Sequence, residues 1–245
     1  MADVNADGYL DIYVSRNGYS ENPSDRRNQL YINNKDLTFS ESAIKYGLGD
    51  MGFSTQAVFF DMDNDGDLDM YQVNQIADKK LLLINKIPRN QFKYFKDRLY
   101  RNDNGKFKDV SEEVGISRDV AYGLSVNAAD FNNDGWVDLY VANDYSEPDF
   151  LYYNNGNGTF TNVINEKLKH ISQYSMGSDT GDINNDGLID LITTDMTPED
   201  HYRSKMNMAT MSTERFNKMV DSGAHYQYMT NTMQINTGLG SFSDI

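Results

Sequence analysis

Four nine-residue stretches carry the side chains best suited to chemistry: DVNADGYLD (3–11), DMDNDGDLD (61–69), DFNNDGWVD (130–138) and DINNDGLID (182–190). Each has Asp at position 1, Asn or Asp at 3, Asp at 5, Gly at 6, an aliphatic residue at 8 and Asp at 9. The second copy packs five aspartates into nine positions, a density of like charge that repels itself unless a cation neutralises it. Hard Ca²⁺ takes six to eight oxygens at about 2.3–2.6 Å, and alternate side chains at positions 1, 3 and 5 converge when the backbone coils around the ion. Gly at position 6 supplies a turn that a Cβ would obstruct. Position 7 offers its backbone carbonyl, which leaves its side chain free to vary: Tyr9, Asp67, Trp136 and Leu188. The aliphatic residues at 8 (Leu10, Leu68, Val137, Ile189) point to the core, and Asp at 9 closes the shell.

The predicted ligands are therefore Asp3, Asn5, Asp7, Tyr9 and Asp11; Asp61, Asp63, Asp65, Asp67 and Asp69; Asp130, Asn132, Asp134, Trp136 and Asp138; and Asp182, Asn184, Asp186, Leu188 and Asp190. They would hold up to four Ca²⁺. Acidic surface turns use the same residue types, but four copies in register leave that reading little room. Four ions would carry the formal charge of −15 to −7, which makes the aspartate density tolerable. An EF-hand needs a bidentate Glu at position 12 and flanking helices. Here position 12 is Val14, Gln72, Val141 and Thr193, and each loop is followed by a β-rich run such as DIYVS or DLYVAN.

The elements around the loops also repeat. LYINNKDLTF (30–39), LYRNDNGKF (99–107), LYYNNGNGTF (151–160) and MQINTGLGSF (233–242) each read as a hairpin entered through an Asn/Gly turn. From the hairpin Phe (39, 107, 160) to the next loop takes 22, 23 and 22 residues, whereas loop start to hairpin takes 28, 39, 22 and 52. All length variation thus falls in one connection per repeat. Before each later loop an aromatic (Phe53, Tyr122, Tyr174) leads a run of mainly small residues. One repeat is strand A, metal loop, strand B, variable connection, strand C, turn, strand D. Four antiparallel strands in about 50 residues is the pattern of a β-propeller blade.

On these motifs the chain resembles the FG-GAP/VCBS repeats of integrin-α-like β-propellers, close to the bacterial group related to cartilage acidic protein and the ASPIC/UnbV proteins. FKDVSEEVGI (107–116) adds to the likeness, which runs along essentially the whole chain. The resemblance implies blades around a central axis, often seven. It implies calcium loops on one face, and protein or glycan ligands met on the other. The expected fold is all-β: a partial propeller of about four blades (1–48, 49–117, 118–170, 171–245), the first lacking its innermost strand. Insertions fall at 74–98 and 195–227, the latter carrying a short helix expected over 198–220 with Met206, Met208, Met211, Phe216 and Met219 on its apolar side.

An open arc exposes blade-edge aromatics and predicts self-association; a fragment of a longer propeller, or two chains completing each other, would account for it. The acidic charge excludes a nucleic-acid binder, and no run approaches the 18 apolar residues of a membrane span. With no Cys, disulfides and thiolate metal sites are excluded. MADVNADG carries no stretch like a signal peptide, so the protein is either cytosolic or an internal segment; the calcium reading favours an extracellular, periplasmic or cell-surface setting. His170, His201 and His225 belong to no metal-hydrolase motif, and no G-x-S-x-G, P-loop or dinucleotide fingerprint occurs. The expectation is a binding module without catalytic residues. The alternative is a polysaccharide lyase on a calcium-loaded propeller, hinted at only by the basic connection with Lys79, Lys80, Lys86, Arg89, Lys93, Lys96 and Arg98.

Overall fold

The computed structural model describes the chain except for residues 19, 21, 77–91, 117–119, 146, 199, 201, 204–205, 207–212 and 222. Runs of β-branched and aromatic residues between Asn/Gly turns form four antiparallel sheets in chain order. The first has three strands, β1 (Ile12–Val14), β2 (Gln29–Asn33) and β3 (Phe39–Glu41), extended at its start by a bridge between Ala2 and Asp11. The second holds β4 (Ser54–Phe60), β5 (Asp69–Asn74), β6 (Arg98–Asn102) and β7 (Phe107–Asp109). The third holds β8 (Gly123–Ala129), β9 (Asp138–Asn143), β10 (Phe150–Asn154) and β11 (Phe160–Asn162). In the fourth, β13 (Gly177–Gly181), β14 (Asp190–Thr194), β16 (Thr232–Asn236) and β17 (Phe242–Asp244) follow the same order.

Successive sheets meet through their first strands, as blades converging on an axis must: β4 lies against β8, and β8 against β13. Small and polar residues permit this approach. A Cβ on Gly123 would sit 2.3 Å from Val73 Cγ1. Val126 N–H donates to Gln56 Oε1 at 3.0 Å, and Ser178 Oγ donates to Asn127 Oδ1 at 2.6 Å. Farther out, each joint between blades is an apolar core. Leu30, Leu48, Met70, Tyr100 and Phe107 fill the first joint; Tyr71, Leu99, Leu139, Tyr152 and Phe160 the second; Tyr140, Leu151, Leu191 and Phe242 the third. A fully buried side chain of this size stabilises by about 1.5–3 kcal/mol, so the interior lies between sheets rather than within any one of them.

A polar residue just before each third strand closes the variable connection. The Oδ1 atoms of Asn28, Asp97, Asp149 and Asn231 accept the N–H of Arg16, Asn74, Asn143 and Asp195 at 2.7 Å in all four blades. Each acceptor bonds the sixth residue counted from the position-9 aspartate. Chain can therefore be inserted above the clip without disturbing the sheet. In the last connection, helix α3 (Thr213–Asp221; α1 is Ala43–Tyr46, α2 Ile164–Lys167) supplies a helix within the expected insertion. Its Phe216 ring stacks on Tyr228 at 5.5 Å, and β15 (Gln227–Tyr228) pairs in parallel with β12 (Ile171–Ser172). The insertion is thus packed onto the blade. Met208 and Met211 lie outside the described residues.

Candidate metal centres

The four acidic loops have one conformation. In each, the position-1 carboxylate accepts the N–H groups of positions 5 and 6: Asp3 from Asp7 (3.0 Å) and Gly8 (2.7 Å), Asp61 from Asp65 (3.2 Å) and Gly66 (2.9 Å). Asp130 and Asp182 repeat this with Asp134 and Gly135, and with Asp186 and Gly187, at 2.8–3.1 Å. The position-5 carboxylate accepts the N–H of position 7 at 2.9–3.0 Å in every copy. Two residues per loop are left-handed. Gly at position 6 has φ between 86° and 92°; position 4 has φ between 55° and 59° and is Ala6, Asn64, Asn133 or Asn185. The glycine is legible from the motif. The left-handed position 4 is signalled only by its three asparagines, the non-glycine residue that best tolerates this region.

Coiling brings the odd-numbered side chains together. One oxygen each of Asp61, Asp63 and Asp65 lie within 4.8 Å of one another, close enough to share an ion. Asp63 Oδ1 and Asp67 Oδ1 are buried without a partner. Burial first, and neighbouring carboxylates second, push both groups above the usual carboxylate range. In the third and fourth loops Asn132 and Asn184 stand at position 3 and donate to Asp134 and Asp186 at 2.8 and 2.9 Å, relieving the repulsion internally. The second loop, with Asp at that position, has no such relief. Orphaned, mutually repelling oxygen donors gathered in a tight loop fit a hard divalent cation.

The position-9 aspartates do more than the sequence suggests. Asp11, Asp69, Asp138 and Asp190 are buried, and each takes two backbone N–H groups. One comes from position 2 of its own loop, Val4, Met62, Phe131 or Ile183, at 2.8–3.1 Å. The other comes from the last residue of the third strand, Asn33, Asn102, Asn154 or Asn236, at 2.7–2.8 Å. Burial raises Asp69 and Asp138 to about 7, against these bonds, which pull the other way. Each carboxylate oxygen retains a lone pair for an ion, so the same group can tie loop, strand and metal together.

Those strand-end asparagines reach further. Asn154 Nδ2 donates to Met62 O at 2.8 Å, and Asn236 Nδ2 to Phe131 O at 2.7 Å, so each grips the loop of the preceding blade. The position-7 side chains are also less free than the motif implies: a Cβ on Gly156 would meet Trp136 Nε1 at 2.7 Å, and one on Gly238 would meet Leu188 Cδ1 at 3.1 Å. Each covers the hairpin turn of its own blade.

At the opposite ends of the inner strands, Tyr145 (φ 73°) stands between Tyr122 and Tyr174 with ring centroids at 5.1 and 6.1 Å. Phe53 stacks on Phe95 beneath the Arg26 guanidinium, 4.2 Å from its ring centroid. These aromatics fill the joints between blades. Of the basic connection, Lys79, Lys80, Lys86 and Arg89 lie outside the described residues; Arg98 pairs with Asp109 and with Asp50 at 3.3 Å. His201 likewise lies outside them, His170 Nε2 meets Asp244 at 3.1 Å, and burial holds His225 below the usual imidazole range.

Comparison with known proteins identifies the repeat. The model of the FG-GAP-like repeat matches residues 3–71, 94–141 and 130–193, together more than half of the chain. Mouse (Mus musculus) cartilage acidic protein 1 is 30% identical over 86 residues, 35% of this chain, and the match spans only 13% of that protein's length. A lectin from Agrocybe aegerita, solved to explain its recognition of non-reducing terminal N-acetylglucosamine, aligns over 99% of this chain and 49% of its own. Its TM-score is 0.45 and its sequence identity 17%. With consecutive antiparallel sheets that each carry an acidic loop at the same place, and a family model that matches more than half of its length, the chain belongs to the FG-GAP-like repeat family.

Proposed function

We propose that this chain is a calcium-binding propeller scaffold that works outside the cytoplasm and meets a protein or glycan on the face opposite the loops. The observation that carries the proposal is the cluster of Asp61, Asp63 and Asp65 oxygens beside the two orphaned oxygens of Asp63 and Asp67, in a loop geometry repeated four times. Sites of this kind in extracellular modules bind Ca²⁺ at about 10⁻⁴–10⁻³ M. They fill outside the cell and stay nearly empty in the cytosol, and a filled site stabilises the fold by mass action. Calcium then takes the part that disulfides play in other secreted domains, in a chain with no Cys.

The same loops are unsuited to acid–base catalysis, because a bound ion keeps their carboxylates ionised. A scaffold therefore accounts for these residues better than an enzyme does. The test is thermal unfolding in millimolar calcium and in excess chelator. The scaffold reading predicts a melting temperature well above the chelated value, restored when calcium is returned; superimposable curves would refute it.

A further inference from the structure

The joint between the first and second blades holds a hollow. A cavity of about 490 Å³ lies there, walled by the first acidic loop, the end of α1 and the second loop with its hairpin turn. Two residue differences go with it. Position 7 carries Trp136 in the third loop and Leu188 in the fourth, each close over the hairpin turn of its own blade; the second loop has the smaller Asp67, which lines the cavity instead. Position 4 of the second loop is Asn64, whose amide reaches Gly135 O across the second joint at 3.4 Å. The first loop has Ala6, which cannot make the same bond to Gly66.

The polar bond of the joint is also unmade here. Asn154 and Asn236 each send an amide proton to the position-2 carbonyl of the preceding loop, at 2.8 and 2.7 Å. Their counterpart Asn102 donates to Leu68 O of its own blade at 3.1 Å, and among the described residues no group donates to Val4 O. Asn102 is 2% exposed, Val4 is 3% exposed, and both line the cavity. Buried polar groups are nearly always paired. One hydroxyl, accepting from Asn102 Nδ2 and donating to Val4 O, would satisfy both.

The rest of the wall disfavours a charged occupant. Lys45 and Lys106 stand against Asp3 and Asp67, so neither sign gains, and Asn5 and Asn104 add neutral donors and acceptors. Tyr46 adds an aromatic wall, flanked by Lys45 Nζ at 5.5 Å from its ring centre and by Gly105, which places no side chain against it. We infer that this cavity binds a neutral sugar residue, its ring against Tyr46 and one hydroxyl between Asn102 Nδ2 and Val4 O. The volume falls within the range of about 300–1,000 Å³ found for small-molecule sites. The site is on the loop side of the blades, separate from the ligand face proposed above, and does not rest on it.

The test is a titration of the isotope-labelled whole chain in millimolar calcium with glucose, galactose, mannose and N-acetylglucosamine, following backbone amide signals. At least one of the four is expected to move the Gly66, Asn104 and Gly105 signals saturably. Glucuronate and glucosamine are expected to bind at least tenfold more weakly than that sugar. Asp67→Leu, which installs the residue type of the fourth loop, is expected to fill the cavity and abolish the shifts with an unaltered β-sheet spectrum. Ala6→Asn, which installs the residue type of the other three loops, is expected to weaken binding at least tenfold and keeps the inference testable should Asp67→Leu not fold. No saturable shift with any of the four (a cavity that holds water only), equal binding of the charged sugars, or shifts that survive either variant overturn the inference. Shifts confined to Tyr122, Tyr145 and Tyr174 also overturn it, and leave the opposite ligand face standing.

Discussion

At the scale of the residue, the second loop is the informative one. Its five aspartates are what first suggest a cation, and burial with the neighbouring Asp65 and Asp61 carboxylates pushes the Asp63 carboxyl upward. The other loops carry Asn at this position and keep the same coil, so Asp63→Asn should fold normally. It is expected to raise the melting temperature slightly in chelator, by removing a repelling charge. It should weaken calcium at that loop by roughly tenfold, since affinity follows ligand charge; titration of the variant beside wild type checks both. A second residue-scale expectation concerns Asp97 and Asp149, buried beside Tyr71 and Tyr140. Burial, opposed by bonds from Asn74 and Asn143 N–H and from the two tyrosine hydroxyls, lifts both carboxyls from 3.8 to about 7. The folded chain then holds protons that the unfolded chain has lost between about pH 4 and pH 7. This stabilisation is present at low pH and disappears as pH rises through about 7, at up to about 1.4 kcal/mol per group per pH unit. Combining Asp97→Asn with Asp149→Asn, the residue type already present at Asn28 and Asn231, should flatten that part of the stability–pH curve measured by denaturant unfolding.

At the scale of the element, the blade works as loop, strand and turn tied by one asparagine. Asn154 is buried and holds Val137 O, Met62 O and the N–H of Gly156. Asn154→Ala leaves buried backbone acceptors unpaired and is expected to cost about 2 kcal/mol or more. Asn33→Ala, in the half-exposed equivalent that holds only Leu10 O and the N–H of Lys35, should cost under about 1 kcal/mol; chemical denaturation of the two variants compares them. The loops and hairpins are legible in the sequence because ligand type, Gly and turn residues repeat at fixed spacing. The bridging role of Asn33, Asn102, Asn154 and Asn236 is not, although each stands in a hairpin motif, because its partners lie in other strands and in the neighbouring blade. The same holds for the clips Asn28, Asp97, Asp149 and Asn231. They appear as a polar residue two before the Leu or Met of each third strand only once the repeats are aligned. The parallel pairing of β12 with β15 has no local signal at all.

At the scale of the whole molecule, a strongly acidic chain is built so that its charge density sits in four loops at one face and its apolar surface in the joints between sheets. Each loop is bonded to its own third strand through the position-9 aspartate, and the second and third loops are gripped by an asparagine of the following blade. An ion that rigidifies a loop therefore braces a joint as well. The most direct measurement is a count of calcium bound to the chelator-stripped chain by equilibrium dialysis. The account predicts saturation at four ions per chain, one per acidic loop, and three for Asp186→Ala. No saturable binding, or a count that loop substitutions leave unchanged, would contradict it.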